Sequence, residues 1–261
     1  MKRVVVITGG TSGIGLELKN LFESKGDIVI TLSTRELPSS DHYSVDMADS
    51  KSVKYAIDEI GQKYGKIDIL INNAGFGMSG ITELVEFDQI AKLTEVNYYG
   101  VLHTIRAALH FMPKGSKIIN ISSAMALFPV PFRAIYGSVK SAVLNLSFSL
   151  RMELKPLGID VIAFCPGDIK TNFTKNRIKD FKTNERYGDR LKLATEKSDS
   201  REDKRISCIK CAMAIFNKIN KHRTKPFYII GGKYKILYFL TRITPKSWLL
   251  AITGRLYGGQ K

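Results

Sequence analysis

Apolar residues crowd into short runs at 4–8, 28–32, 67–71, 117–121 and 159–164, each rich in Val and Ile. Such runs suit strands covered on both faces, as in a parallel sheet. Between them, residues 14–24, 52–64, 87–111 and 135–154 place apolar side chains three and four apart, the period of a helix with one buried face. A further helical stretch at 205–220 precedes a last apolar run at 227–230. Strand and helix in alternation predict parallel pairing, right-handed crossovers and helices on both faces of one sheet. The stretch 171–203 breaks the pattern, being polar, charged and weakly periodic. A segment of that length inside a compact domain is expected to be a lid or binding loop. No Gly/Ser or Pro-rich linker and no repeat divides the chain, so a single domain over residues 1–232 is expected, followed by an extension at 233–261.

The composition of the 261 residues, 44% hydrophobic and 25% charged, excludes disordered, collagen-like and disulfide-scaffold classes. Charge changes the picture more. Residues 1–169 hold 17 basic and 17 acidic side chains, whereas 170–261 hold 23 and 7, so the whole net charge of +16 sits in the last third. The opening MKRVVVITGG enters a strand at once, without the apolar core of a signal peptide, and no run reaches the length of a membrane span. With three cysteines this predicts a reducing, cytoplasmic setting. Cys208 and Cys211 have C-x-x-C spacing, but no second pair completes a metal site, and two thiols sharing one packed helix face is the expected reading.

The chemistry concentrates in a few motifs. Thr8-Gly9-Gly10-Thr11-Ser12-Gly13-Ile14-Gly15 lies between the first strand and the first helix. There glycines allow a tight turn, close approach to a diphosphate and tight helix–strand packing, with phosphates facing free N–H groups at the helix start. Tyr136 and Lys140, four apart on a helix, project from one face. A phenol ordinarily titrates near 10, and a neighbouring cation is expected to lower that value towards neutrality. Ser122 and Ser123 end the strand upstream, with Ser123 thirteen residues before Tyr136.

Taken together, these motifs resemble the short-chain dehydrogenase/reductase family over roughly residues 3–230. Gly9, Gly13 and Gly15 fit its T-G-x-x-x-G-x-G loop, Asn72-Asn73-Ala74-Gly75 its N-N-A-G turn, and Asn97 its helix-borne asparagine. Ser123, Tyr136 and Lys140 fall in the family's order and spacing, and Pro166, Gly167 and Thr171 fit P-G-x-x-x-T. The resemblance implies an α/β, Rossmann-type doubly wound parallel sheet in one domain, here with a basic helical C-terminal extension. It also implies hydride transfer between a nicotinamide and a carbonyl or alcohol carbon, with catalytic Asn97, Ser123, Tyr136 and Lys140. Tyr136 would move the proton, Ser123 would hydrogen-bond the reacting oxygen, and Lys140 would hold the nicotinamide ribose and lower the Tyr136 pKa. Asn97 would position a relay water. Thr11, Ser12 and Ile14 join the glycines of the loop as cofactor contacts. Asn73, Ala74 and Gly75 are expected on the adenosine side, Asp46 and Met47 under the adenine, and Ile169 and Thr171 beside the carboxamide. Three departures stand out: a short 35–46 connection, Val139 before the lysine, and Ala126 three residues past Ser123.

The second strand ends Ser33-Thr34-Arg35 with no carboxylate before Glu36, so NADP is the expected cofactor and NAD the alternative. A small carbonyl or alcohol substrate and a homo-oligomer are expected. Two other classes compete. A catalytically silent dinucleotide sensor would not need the four catalytic groups. A nucleic-acid binder would use basic residues interleaved with Phe227, Tyr228, Tyr234, Tyr238 and Phe239, but it lacks any accompanying motif. Residues 233–258 combine aromatic, aliphatic and basic side chains with no carboxylate, and Pro245 divides them into two short helices. That composition suits the interface of an anionic membrane, with packing over the substrate pocket or contact with an acidic carrier protein as the other readings.

Overall fold

The computed structural model describes residues 2–170, 177–200 and 205–258. Its strands are β1 Val4–Thr8, β2 Ile28–Ser33, β3 His42–Ser44, β4 Ile69–Asn72, β5 Met78–Ser79, β6 Lys117–Ile121, β7 Asp160–Pro166, β8 Ile169–Lys170, β9 Ile178–Lys179, β10 Ile206–Ser207 and β11 Phe227–Ile230. The helices are α1 Gly13–Glu23, α2 Ser50–Tyr64, α3 Phe87–Thr94, α4 Gly100–Ala108, α5 Ala134–Leu154, α6 Arg190–Asp199, α7 Cys208–Ile219, α8 Gly232–Ile243 and α9 Lys246–Tyr257. Seven strands form one parallel sheet in the order β11-β7-β6-β4-β1-β2-β3. The strand order reverses direction between β1 and β4. Thr8 and Asn72 face each other there at the carboxyl ends, where crevices open in doubly wound sheets.

Both faces of the sheet are covered, which is why the strands are apolar at consecutive positions. Val4, Val6, Ile30, Leu70, Ile118 and Val161 pack with Ile57, Ile105 and Val143 of α2, α4 and α5. The intervening Val5, Ile7, Ile71, Ile119 and Ile162 pack with Leu18, Phe22 and Ile215 of α1 and α7. One polar chain crosses the first layer. Thr104 donates to Asn72 (2.6 Å), Asn72 to Asn120 (2.8 Å), and Asn120 to Ser147 (2.9 Å). These buried groups satisfy one another, and their directional bonds fix α4 and α5 against β4 and β6 more narrowly than apolar contact alone.

Several boundaries differ from expectation. The short 35–46 connection holds no helix but carries the edge strand β3, too short to show a period. The stretch 87–111 is not one helix: α3 passes through a π-helical turn, Glu95–Tyr99, into α4. The polar 171–203 region contains α6, whose sequence RLKLATEKSD lacks a clear apolar face because most of it meets solvent. Ile206–Ser207 form strand rather than helix, and Ser207 caps α7 by accepting from the Lys210 N–H.

Pro245 does separate two helices, α8 and α9, and they pack with one face inward. Tyr234 lies parallel over Phe128 with ring centroids 6.0 Å apart, and Leu249 joins the same cluster. Tyr228 stacks on Phe164 and Phe227 meets Phe148 edge-on. Most aromatics that a nucleic-acid surface would need outside are therefore turned into the protein.

Candidate active site

The crevice at the reversal point is a cavity of about 310 Å³. One end is the Gly-rich loop. Ser12 starts α1 without a side-chain cap, so the first-turn N–H groups lie open beside the cavity wall formed by Gly9, Ser12, Gly13 and Ile14. A Cβ at Gly15 would come within 2.3 Å of the Gly9 carbonyl oxygen, so only glycine lets the helix sit this close to the turn. An uncapped helix start beside room for a ligand fits a dinucleotide diphosphate.

The N-N-A-G turn is tied to this loop by a residue outside the expected set. The Thr8 hydroxyl accepts from the N–H groups of Asn73 and Ala74 (3.0 Å each), while the Asn73 amide donates to the Thr8 and Gly9 carbonyls (3.1 and 3.2 Å). Thr8 precedes the glycines in the motif itself, which is the signal that could have revealed it. Asn97 lies in the π turn, fully buried. Its carbonyl oxygen accepts from the Phe76 N–H (3.0 Å) and its amide donates to the Phe76 carbonyl (2.8 Å). Its side chain is thus spent on the backbone after Gly75. Extra-wide helical turns recur at functional sites, and this one holds the floor of the crevice.

Ser123, Tyr136 and Lys140 come together in the cavity wall, with the Ser123 hydroxyl hydrogen-bonded to the phenol. Burial pushes the Tyr136 phenol up to about 12, opposed by that hydrogen bond and then by the Arg133 and Arg177 guanidiniums. Lys140, expected to be the cation that does this, instead donates to the Ile121 carbonyl (2.9 Å), and burial brings its own value down to about 8. Ser122 holds the Lys140 carbonyl at 2.8 Å, locking α5 to the end of β6.

Pro166, Gly167, Ile169, Asn73, Ala74 and Gly75 also line the cavity, whereas Thr11, Gly15, Arg35, Asp46, Met47 and Asn97 lie behind or beside its walls. Met47 is buried beneath Gly100, and Asp46 is exposed with its carboxylate accepting from the Ala48 N–H. Thr171 falls outside the described residues. Arg35 donates to the Thr11 carbonyl (3.0 Å) over the Gly-rich loop, and Thr11 reaches the Ser33 hydroxyl (3.2 Å). His42 braces this corner by contacting the Arg35 carbonyl and the Thr31 hydroxyl, both at 2.7 Å. The far wall was missed by sequence reasoning: Met125, Phe128, Phe132, Arg133, Arg177, Arg205 and Tyr234. Of these, only Arg133, which directly precedes α5 and lies three residues before Tyr136, left a readable signal. Cys211 is fully buried on α7, and Cys208 donates to the Lys170 carbonyl.

Comparison with known proteins agrees with this geometry. Residues 3–182 match the short chain dehydrogenase family. The chain is 32% identical over 257 residues to a 3-ketodihydrosphingosine reductase of Bacteroides thetaiotaomicron, covering 95% of this chain and 93% of that protein. Among solved structures, a short-chain dehydrogenase from Streptomyces avermitilis superposes with a TM-score of 0.84 at 23% identity, covering 100% of this chain and 98% of that one. ElxO with NADP bound gives 0.73 at 28% identity over 90% and 100% of the two chains. The chain belongs to the short-chain dehydrogenase/reductase family of oxidoreductases, which use a nicotinamide dinucleotide.

Proposed function

We propose that this family member is an NADPH-dependent reductase of a lipophilic carbonyl compound, with Tyr136 as proton donor. The observation that carries the reading is the buried Ser123–Tyr136 hydroxyl pair beside a cavity that also contains the Gly-rich loop and Lys140. A phenol pushed up to about 12 is protonated at neutral pH and is set to give its proton to a carbonyl oxygen. Ser123 stabilises the charge that gathers on that oxygen. A reduced nicotinamide held by these residues would supply the hydride for the carbonyl carbon, and the proton from Tyr136 would complete the alcohol. Gly9, Gly13 and the α1 start would bind the diphosphate, and Lys140 the ribose. Asn97 would act as a positioning residue through Phe76. Met125, Phe128 and Phe132 give the carbonyl compound an apolar wall, and a relative named as a reductase of a keto compound supports the direction. A panel of ketones, aldehydes and alcohols assayed with both cofactors tests the reading. Cofactor binding without turnover of any of them would leave a sensor instead.

NADPH is favoured because Thr11, Ser33 and Arg35 form a cationic, hydroxyl-bearing corner where a carboxylate would repel a 2′-phosphate. The expected result is at least a tenfold higher kcat/KM with NADPH than with NADH, about 1.4 kcal/mol. Arg35→Ala should remove most of that advantage through the KM for NADPH. A wild-type preference for NADH would reverse the assignment.

The outward faces of α8 and α9 carry Ile236, Phe239, Ile243, Trp248 and Ile252, each at least half exposed, among Lys235, Arg242, Lys246 and Arg255. No helix among the described residues is long and apolar enough to cross a membrane. An apolar face ringed by cations and free of carboxylates complements an anionic bilayer surface, where each basic group contributes about 1 kcal/mol. The protein should sediment with phosphatidylserine-containing vesicles at low salt and be released at high salt. Trp248→Glu should weaken that binding at least tenfold. Equal binding to neutral vesicles would remove the requirement for an anionic surface, and salt-sensitive capture by an acidic protein without vesicle binding would rule the membrane out.

A further inference from the structure

The cavity wall opposite the Gly-rich loop holds three arginines from separate parts of the chain. Arg133 precedes α5, Arg177 precedes β9 and Arg205 precedes β10. The Arg177 and Arg205 side chains are 9% and 5% exposed, and Arg133 is also buried. Their guanidiniums are close enough to act on one another. Burial, and then the Arg177 charge, brings Arg133 down to about 9, and Arg205 acts on Arg177 in the same sense. For Arg133 and Arg177, charge compensation among the described residues is incomplete. Asp199 lies 3.8 Å from Arg177 and 3.6 Å from Arg205, but its short contact, at 2.7 Å, is to Lys179. Among the described residues the other nearby carboxylate, Asp168, accepts the Tyr234 hydroxyl. The Arg177 Nη1 atom is buried without a hydrogen-bond partner among the described residues, and Arg133 makes one long bond, 3.4 Å, to the Met78 carbonyl.

Burying a guanidinium is costly unless an anion meets it, and Arg133 and Arg177 share one cavity with little counter-charge among the described residues, so an anion is called for there. The planar fork of arginine matches carboxylate, sulfonate and phosphate oxygens. A second feature on this wall is strained. Phe132 has φ +63°, a left-handed conformation rare for an aromatic residue, and its ring lies 5.8 Å from the Arg190 guanidinium. Such strain is kept where a side chain must be aimed at a site.

Resting on the reductase reading of this cavity, we infer that its substrate is an amphiphile with an anionic head. The head would be held by Arg133, Arg177 and Arg205, so that the carbonyl lies at Ser123 and Tyr136 and the apolar part runs along Phe128 and Phe132. The arginines are binding residues and take no proton in the reaction. They also set a length rule, because the separation of head and carbonyl must match that of the guanidiniums and the two hydroxyls.

The test pairs turnover with a binding measurement that needs none. Keto acids with the ketone two to eight carbons from the carboxylate are compared with their methyl esters, using NADPH. The best acid should exceed its ester at least thirtyfold in kcat/KM, with an optimum at one spacing. R177Q should cut the acid-to-ester ratio at least tenfold through KM, and R177K should restore part of it. Separately, octanoate, octanesulfonate and octyl phosphate are titrated against octanol into the NADP-loaded protein. Tighter binding of any anion, lost in R177Q, supports the inference even if no carbonyl is reduced, in which case only the reductase reading fails. Esters reduced as well as acids, together with octanol binding as tightly as the anions, would overturn the inference and leave the reductase intact. Loss of NADPH affinity in R177Q with anion binding unchanged would overturn it too, assigning the arginine to the cofactor phosphates.

Discussion

Tyr136→Phe should lower kcat for carbonyl reduction by about 10²–10⁴-fold while NADPH binds within a few-fold of wild type. The change removes a single oxygen from a side chain that is 7% exposed, so the packing around Phe76, Met78 and Leu93 persists and the variant folds. The nucleotide loop and Lys140 are untouched, so the loss falls on kcat rather than on cofactor affinity. The same phenol predicts opposite pH profiles for the two directions. Reduction needs the protonated form, which dominates far below a pKa pushed up to about 12, so kcat/KM for the ketone should be flat from pH 6 until Lys140 begins to lose its proton near 8. Alcohol oxidation needs the phenolate and should rise about tenfold per pH unit from pH 6 to near 8, because kcat/KM reports the free enzyme. A Phe variant keeping more than about a tenth of the wild-type rate would place the proton elsewhere. An oxidation profile that levels off below pH 8 would show that the phenol ionises far more readily than its burial implies.

How much of this was legible in the sequence depended on whether the determining contacts were local. The longer strands of the main sheet were readable because burial on both faces leaves a composition, Val and Ile at consecutive positions, that needs no tertiary knowledge. Ser123, Tyr136 and Lys140 were singled out because their order and spacing resemble the family pattern, and the end of β6 with one turn of α5 brings them into one wall. The π turn at Asn97 was not, since a one-residue widening leaves the apolar period of 87–111 nearly intact. Strand β3, three residues long, has too few positions to show a pattern. The three arginines were invisible as a group because their meeting depends on where residues 133, 177 and 205 are carried by different elements. In the sequence they are three more cations in a chain with forty. The basic tail was readable in composition yet has two faces. Tyr234, Leu237, Tyr238 and Leu249 pack inward, whereas Ile236, Phe239, Ile243 and Trp248 face out.

Lys140→Met should disable the enzyme and make it more stable. The ammonium is 5% exposed, and burial brings its pKa from 10.5 to about 8, so the folded state holds this proton less firmly than the unfolded chain does. The sign follows from linkage. Between pH 8 and 10.5 the unfolded state binds more protons, so the lysine's contribution makes stability rise with pH there. Below pH 8 both states are protonated and the full cost of burying the charge is felt, on the order of 3 kcal/mol from 1.36 kcal/mol per unit. Methionine fills similar space without charge. It forfeits the bond to the Ile121 carbonyl, which costs about 1 kcal/mol. A net gain of about 2 kcal/mol at pH 7 is therefore expected, visible as a higher Tm, together with a loss of turnover of at least a hundredfold and weaker NADPH binding. The stability gap should close as the pH is raised from 8 towards 10.5, where the wild-type lysine is neutral in both states. A variant less stable than wild type at pH 7, or a gap that ignores pH, would mean that the buried ammonium carries no such penalty. The opposed effects on Tm and kcat identify the group as one held for chemistry at the expense of the fold, which is where an active site differs from the apolar layers on either side of it.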